Sequence, residues 1–208
     1  MATHPVTAKG RKTRARIVAT AVEVVAERGA VEATLDEVGS RATASRSQLY
    51  HYFDDKAALL CAVAEATNDA VLDGQALLLD QLGSIAGLRV WADALVALQQ
   101  AQRGRGGCPI GNLVGQVGER DEQIRRVLAT GFDRWEQALA DGVAAMVDAG
   151  ELDPATDIGW LATCLLAAVQ GGLMLTQARR DPQQLRRSLD GAIRLVELHA
   201  VKGRPPSG

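Results

Sequence analysis

The stretch from Thr34 to Lys56, TLDEVGSRATASRSQLYHYFDDK, constrains this chain more than any other. It holds two helix-start signals, Thr34 with Glu37 and Ser45 with Gln48, each a hydroxyl followed at the third position by Glu or Gln. In that pattern the hydroxyl and the later side chain satisfy backbone N–H groups that the first turn leaves unpaired. Leu35, Val38 and Ala42 then share one helical face, and Leu49 and Phe53 share another. Thr43 falls in the turn between them, where a β-branched residue is costly if φ is positive. In the second helix Arg46, Ser47, Gln48, Tyr50, His51 and Tyr52 surround the apolar pair, and almost all can form hydrogen bonds. A short helix presenting cations, an amide and phenols suits a DNA major groove.

The remaining text reads as helix. It is rich in Ala and Leu, and aromatics are only 3% of the chain. Periodicity predicts helices over 13–28, 56–83, 85–102, 109–118, 121–149, 157–180 and 182–201. Gly29 and Gly150 act as stops, and Pro109 and Pro182 stand at first turns. With the two helices above, the fold class is all-α with about nine helices. The expected domains are a three-helix head over 1–55, a helical bundle over 56–202 and a disordered tail over 203–208.

The net charge of −2 says little about nucleic acid, but its distribution says more. Lys9, Arg11, Lys12, Arg14 and Arg16 precede the first acid, Glu23, and form a basic arm placed to meet phosphates. Cys61, Cys108 and Cys164 are odd in number and widely spaced, which points to a reducing cytoplasm rather than a disulfide framework. No apolar run of membrane-spanning length is expected. His4, His51 and His199 are scattered and suggest no metal site. The Gly-rich segment Arg103–Gly107 lacks the strand before it and the Gly-Lys-Ser/Thr after it that a phosphate loop needs. No catalytic fingerprint is present, so neither enzyme activity nor a cofactor is expected.

On the frame Arg14, Ile17, Ala21, Gly29, Thr34, Val38, Ala42, Ser45, Leu49, Tyr50, Phe53, Lys56 and Leu60, the N-terminal part resembles the helix-turn-helix of the TetR family of bacterial transcriptional regulators. Thr43 stands where that family usually has Gly. The resemblance implies phosphate contacts from Thr34, Tyr50, Tyr52, Lys56 and the arm residues Arg11, Lys12 and Arg14. Base contacts are expected from Arg46, Gln48 and His51, with Ser45 and Ser47 beside them. A second text, GCPIGNLVGQVGERDEQIRRVLATGFDRWEQAL from Gly107, resembles the sensing half of LmrA/YxaF-type repressors within the same family.

That resemblance implies a ligand-responsive repressor acting on double-stranded operator DNA. Trp91, Leu95, Cys108, Leu113, Val117, Phe132, Trp135, Trp160 and Met174 are candidate walls for a small, largely apolar effector. Each of them taken singly also suits plain core packing. Leu161, Leu165, Ala168, Gly171, Gly172 and Leu175 form a strip expected at a homodimer interface, because helix-interior glycines cost stability unless a close approach uses them. Two other readings stay open: a thiol-based redox regulator using Cys108, at a helix N-terminus, and a helical enzyme or interaction bundle with a vestigial head.

Overall fold

The computed structural model describes residues 7–201. The tail expected over 203–208 lies outside them. Among the described residues the chain is all-helical, with ten α-helices and one π-helical turn. They are α1 (Ala8–Arg28), α2 (Leu35–Arg41), α3 (Arg46–Tyr52), α4 (Lys56–Asp73), α5 (Ala76–Leu79), α6 (Ile85–Ala101), α7 (Pro109–Leu113), the π-turn (Val114–Gly118), α8 (Glu122–Asp148), α9 (Ile158–Arg179) and α10 (Gln183–Glu197). A lone antiparallel bridge joins Leu152 and Ala200.

The chain divides into two compact units. Among the described residues, one holds those up to Val71 together with Ile110–Gly131; the other holds Leu72–Pro109 and those from Phe132 to Val201. This division differs from the expected boundary at residue 55, because α4, the π-turn and the first part of α8 pack with the head helices. Asn68 shows how closely. Its Nδ2 donates to the Val127 carbonyl at 2.7 Å, and a Cβ on Gly131 would stand 2.2 Å from its Oδ1. Only glycine lets α8 pass α4 at this distance.

The first unit is built on its caps. Thr7 Oγ1 accepts from Gly10 N at 3.1 Å and starts α1 earlier than expected. Lys9, Arg11, Lys12, Arg14 and Arg16 are therefore residues of α1, not of an arm ahead of it; Lys, Arg and Ala are strong helix formers, which carries the helix back to the cap. Ile17, Ala21, Val24, Val38, Leu49 and Phe53 fill the core of the head.

Thr43 adopts φ +50°, a left-handed conformation that glycine would take without strain. Thr43→Gly is expected to raise stability by about 1 kcal/mol, or a few degrees in melting midpoint. An unchanged or lower midpoint would show that the threonine side chain offsets its own backbone conformation.

In the second unit, the long helix expected over 56–83 breaks after Asp73. Gly74 interrupts it, and the buried Gln75 turns its side chain inward to accept the indole N–H of Trp91 at 3.0 Å. Leu77, beyond the break, is exposed.

Helices α9 and α10 pack against each other along their length. Thr176 Oγ1 accepts from Leu185 N at 3.1 Å, and Ser188 Oγ donates to the Ala168 carbonyl at 2.7 Å. A Cβ on Gly172 would stand 3.0 Å from Leu185 Cα. The strip expected at the dimer interface is therefore corrected. Leu161, Leu165 and Gly172 are buried within the protomer, and Ala168 is half-buried beside Ser188. The face of α9 that stays open carries Trp160, Ala167, Gly171, Met174 and Leu175. The reason is that α9 is apolar nearly all round, so periodicity could not choose its inner side.

The same composition corrects a second expectation. Ile158–Arg179 has a mean hydropathy of 1.7 over its most apolar window and is long enough to cross a membrane by length and composition alone.

Candidate nucleic-acid interface and sensor core

The geometry of α2 and α3 follows from their first turns. Thr34 Oγ1 accepts from Glu37 N at 3.2 Å. Ser45 Oγ accepts from Gln48 N at 3.2 Å, and Gln48 Oε1 accepts from Ser45 N at 2.9 Å. Both halves of a capping box are thus formed at α3. Leu49 and Phe53 anchor α3 to the core, which leaves Ser45, Arg46, Ser47, Gln48, Tyr50 and His51 exposed and Tyr52 half-buried.

These side chains also brace one another. The Arg46 guanidinium lies 5.8 Å from the Tyr50 ring centroid, and the His51 and Tyr52 rings meet edge-on at 4.9 Å. Arg14 reaches over Phe53 at 5.3 Å from the ring centroid, tying α1 to the end of α3. Lys56 Nζ donates to the Val31 carbonyl at 2.6 Å, so the lysine expected to meet phosphate also holds the loop before α2. Its ammonium has further donors for a phosphate oxygen. Arg41 pairs with Glu27 at 2.7 Å and Glu37 at 3.0 Å, and Arg28 pairs with Glu37 at 2.9 Å. This network flanks α2 and leaves Arg46 of α3 outside it.

The Gln48 oxygen already accepts from Ser45 N in the cap, which leaves Nε2 as the donor end of the amide.

The candidate sensor residues do not form one set. Leu113 and Val117 are buried in the first unit. In the second unit Trp91, Cys108 and Trp135 are buried, and Leu95 and Phe132 are half-buried. Trp160 and Met174 are 49% and 70% exposed, so they line the outside of α9 rather than an interior wall. Trp160 meets the His199 ring edge-on there.

Several buried polar atoms were not legible in the sequence. Trp135 Nε1 is buried without a hydrogen-bond partner, and so is Oε1 of Gln99, a residue only 3% exposed. Gln170 Nε2 on α9 is likewise unpartnered. The position of Gln99 held the signal: it continues the buried face Leu88, Ala92, Val96 of α6. The acidic text at the start of α8 is an exposed ion-pair cluster. Hydrogen bonds from Arg125, then Arg126, hold the Glu122 carboxyl down at about 2.

Two family models match this chain. Residues 17–63 match the bacterial regulatory proteins of the tetR family, and residues 84–192 match the tetracyclin repressor-like C-terminal domain. The chain belongs to the TetR family. The first match spans the head helices described above, and the second covers more than half of the chain.

Relatives agree with this placement. An uncharacterized HTH-type transcriptional regulator of Lactococcus lactis, from the lacX 3' region, is 24% identical over 86% of this chain and 91% of its own length. The transcriptional regulator AcuR of Cereibacter sphaeroides is 28% identical over 79% of this chain and 76% of its own. Among solved structures, a regulatory protein TetR from Rhodobacter sphaeroides superposes with TM-score 0.70 at 24% identity, covering 91% of this chain and 99% of that one. The reduced form of Escherichia coli NemR superposes with TM-score 0.75 at 20% identity, covering 93% and 100%. These two structures share the fold. As a TetR-family member the chain is a helix-turn-helix transcriptional regulator.

Proposed function

We propose that this TetR-family regulator is a homodimeric cytoplasmic repressor, released from its operator by a small effector held in the core of the second unit. The observation that carries the DNA part is α3 itself. Two apolar residues fix it, and Arg46, Ser47, Gln48, Tyr50 and His51 face solvent. Arg46 and His51 read base edges, with Gln48 donating through Nε2. Tyr50, Tyr52, Thr34, Lys56 and the α1 cations Arg11, Lys12 and Arg14 meet phosphate. Dimerisation uses the open face of α9, where Gly171 has nothing within 4 Å of a would-be Cβ. The Gly-Cys-Pro text at 107–109 supports kinship with the LmrA/YxaF-type sensors.

The effector part rests on the unpartnered polar atoms. A buried N–H or carbonyl without a partner costs about 1–3 kcal/mol. A ligand that brings an acceptor to Trp135 Nε1 recovers that cost. The effector class is therefore a neutral, largely apolar compound carrying a hydrogen-bond acceptor, rather than a purely apolar one. Its binding favours a conformation with weaker operator affinity, and release follows from its differential affinity for the two states.

Aromatic amides and ketones, compared with analogues that lack the acceptor, provide the test, with operator release as the readout. The expected hit loses about tenfold in potency on Trp135→Phe, while operator binding without ligand stays at the wild-type level. Equal potency on both proteins would remove Trp135 from the site.

A further inference from the structure

The turn between α1 and α2 owes its shape to a residue far away in sequence. Within the turn, Gly29 N donates to the Val25 carbonyl at 2.8 Å and Ala33 N to the Gly29 carbonyl at 3.1 Å. The Ala30 N–H donates instead to Oε1 of Gln116 at 2.6 Å. Ala30 is fully buried, so without Gln116 its N–H would face the interior unpaired. Gly29 makes room for this contact. It lies at φ +86°, and a Cβ there would stand 3.0 Å from the same oxygen.

Gln116 sits in the π-helical turn Val114–Gly118. Such turns are rare overall but frequent at functional sites. A π-turn holds more residues per turn than an α-turn, so recoiling it as α would carry residue 116 around the axis and off Ala30. On the same loop Lys56 grips the Val31 carbonyl. Two long-range side chains thus hold the segment that delivers Thr34, the cap of α2, and through α2 the reading helix. All of these residues belong to the first unit.

We propose that Gln116 is a positioning residue for DNA recognition: by accepting the Ala30 N–H it sets the α1–α2 turn that presents α2 and α3 to the operator. It touches no DNA itself. The proposal rests on the DNA-binding reading of the head.

The test uses the full chain and the duplex that the wild-type protein enriches from random DNA. Gln116→Met removes the acceptor at similar length, and Gln116→Glu restores one. Gln116→Met is expected to lose about tenfold in affinity for the enriched duplex while binding an unrelated duplex like wild type. The Ala30 amide should lose hydrogen-exchange protection in the same variant, and Gln116→Glu should recover both properties. Undiminished preference in Gln116→Met, or unchanged protection at Ala30, would overturn the proposal. So would an equal loss on both duplexes, which marks a merely structural role. If the wild-type protein enriches nothing, the DNA reading itself has failed, and that failure is seen before any variant is compared.

Discussion

Trp91→Ala is expected to lower stability by about 3–5 kcal/mol, on the order of 10 °C in melting midpoint for a chain of this length. Trp91 is fully buried, and its indole donates to Gln75 at the break between α4 and α5. Truncation removes the largest buried side chain of α6 and also takes the indole from the residue that turns the chain there. Trp91→Phe keeps most of the volume and loses only the N–H, so its cost should stay near that of one buried hydrogen bond, about 1–3 kcal/mol. Calorimetry of the two variants separates packing from the polar contact. A Trp91→Ala midpoint within error of wild type would contradict the role of Trp91 as the anchor of the second unit.

Gly172→Leu and Gly171→Leu should behave oppositely although the residues are neighbours. At Gly172 the new side chain meets Leu185 Cα and Cδ1 at 3.0 and 2.8 Å and Ser188 Cβ at 3.1 Å. Backbone on α10 cannot yield cheaply, so the expected cost is about 1–3 kcal/mol or more, borne by the protomer. At Gly171 nothing lies within 4 Å, so the protomer should fold normally. If the open face of α9 is the self-association face, Gly171→Leu wedges two copies apart. Sedimentation should then find it monomeric at concentrations where wild type is dimeric. A dimeric Gly171→Leu with wild-type operator affinity would move the interface elsewhere.

Much of the head was legible because its signals are local. Thr34 with Glu37 and Ser45 with Gln48 announce their helices, and Leu49 and Phe53 name the buried side of α3 by spacing alone. The strain at Thr43 was also readable, since a β-branched residue stood in the turn. What stayed hidden depends on distant partners. Nothing local to Gln116 points to Ala30, or to Lys56 gripping Val31. The start of α1 was missed because a run of cations was read as an arm, although Thr7 could cap it. In α9 an apolar residue lies on almost every side, so the choice between the α10 face and the open face rested on contacts that spacing does not encode. Gln75 and Gln99 are polar residues that the fold buries, Gln75 against the indole of Trp91 on α6.

In the proposed dimer, α3 of each protomer reads one half-site of the operator. Selection of bound duplexes from a random pool by the wild-type protein tests this most directly, followed by the same selection with Arg46→Ala. The enriched duplex should carry an inverted repeat with half-site centres about 34–36 Å apart, or a multiple of that spacing. Affinity for it should fall steeply as salt rises. Arg46→Ala should relax the preference at one position in each half-site by about 1–3 kcal/mol, while Lys12→Ala should weaken all duplexes alike. A pool that returns unenriched, or an Arg46→Ala protein that selects the wild-type sequence with undiminished preference, would contradict it.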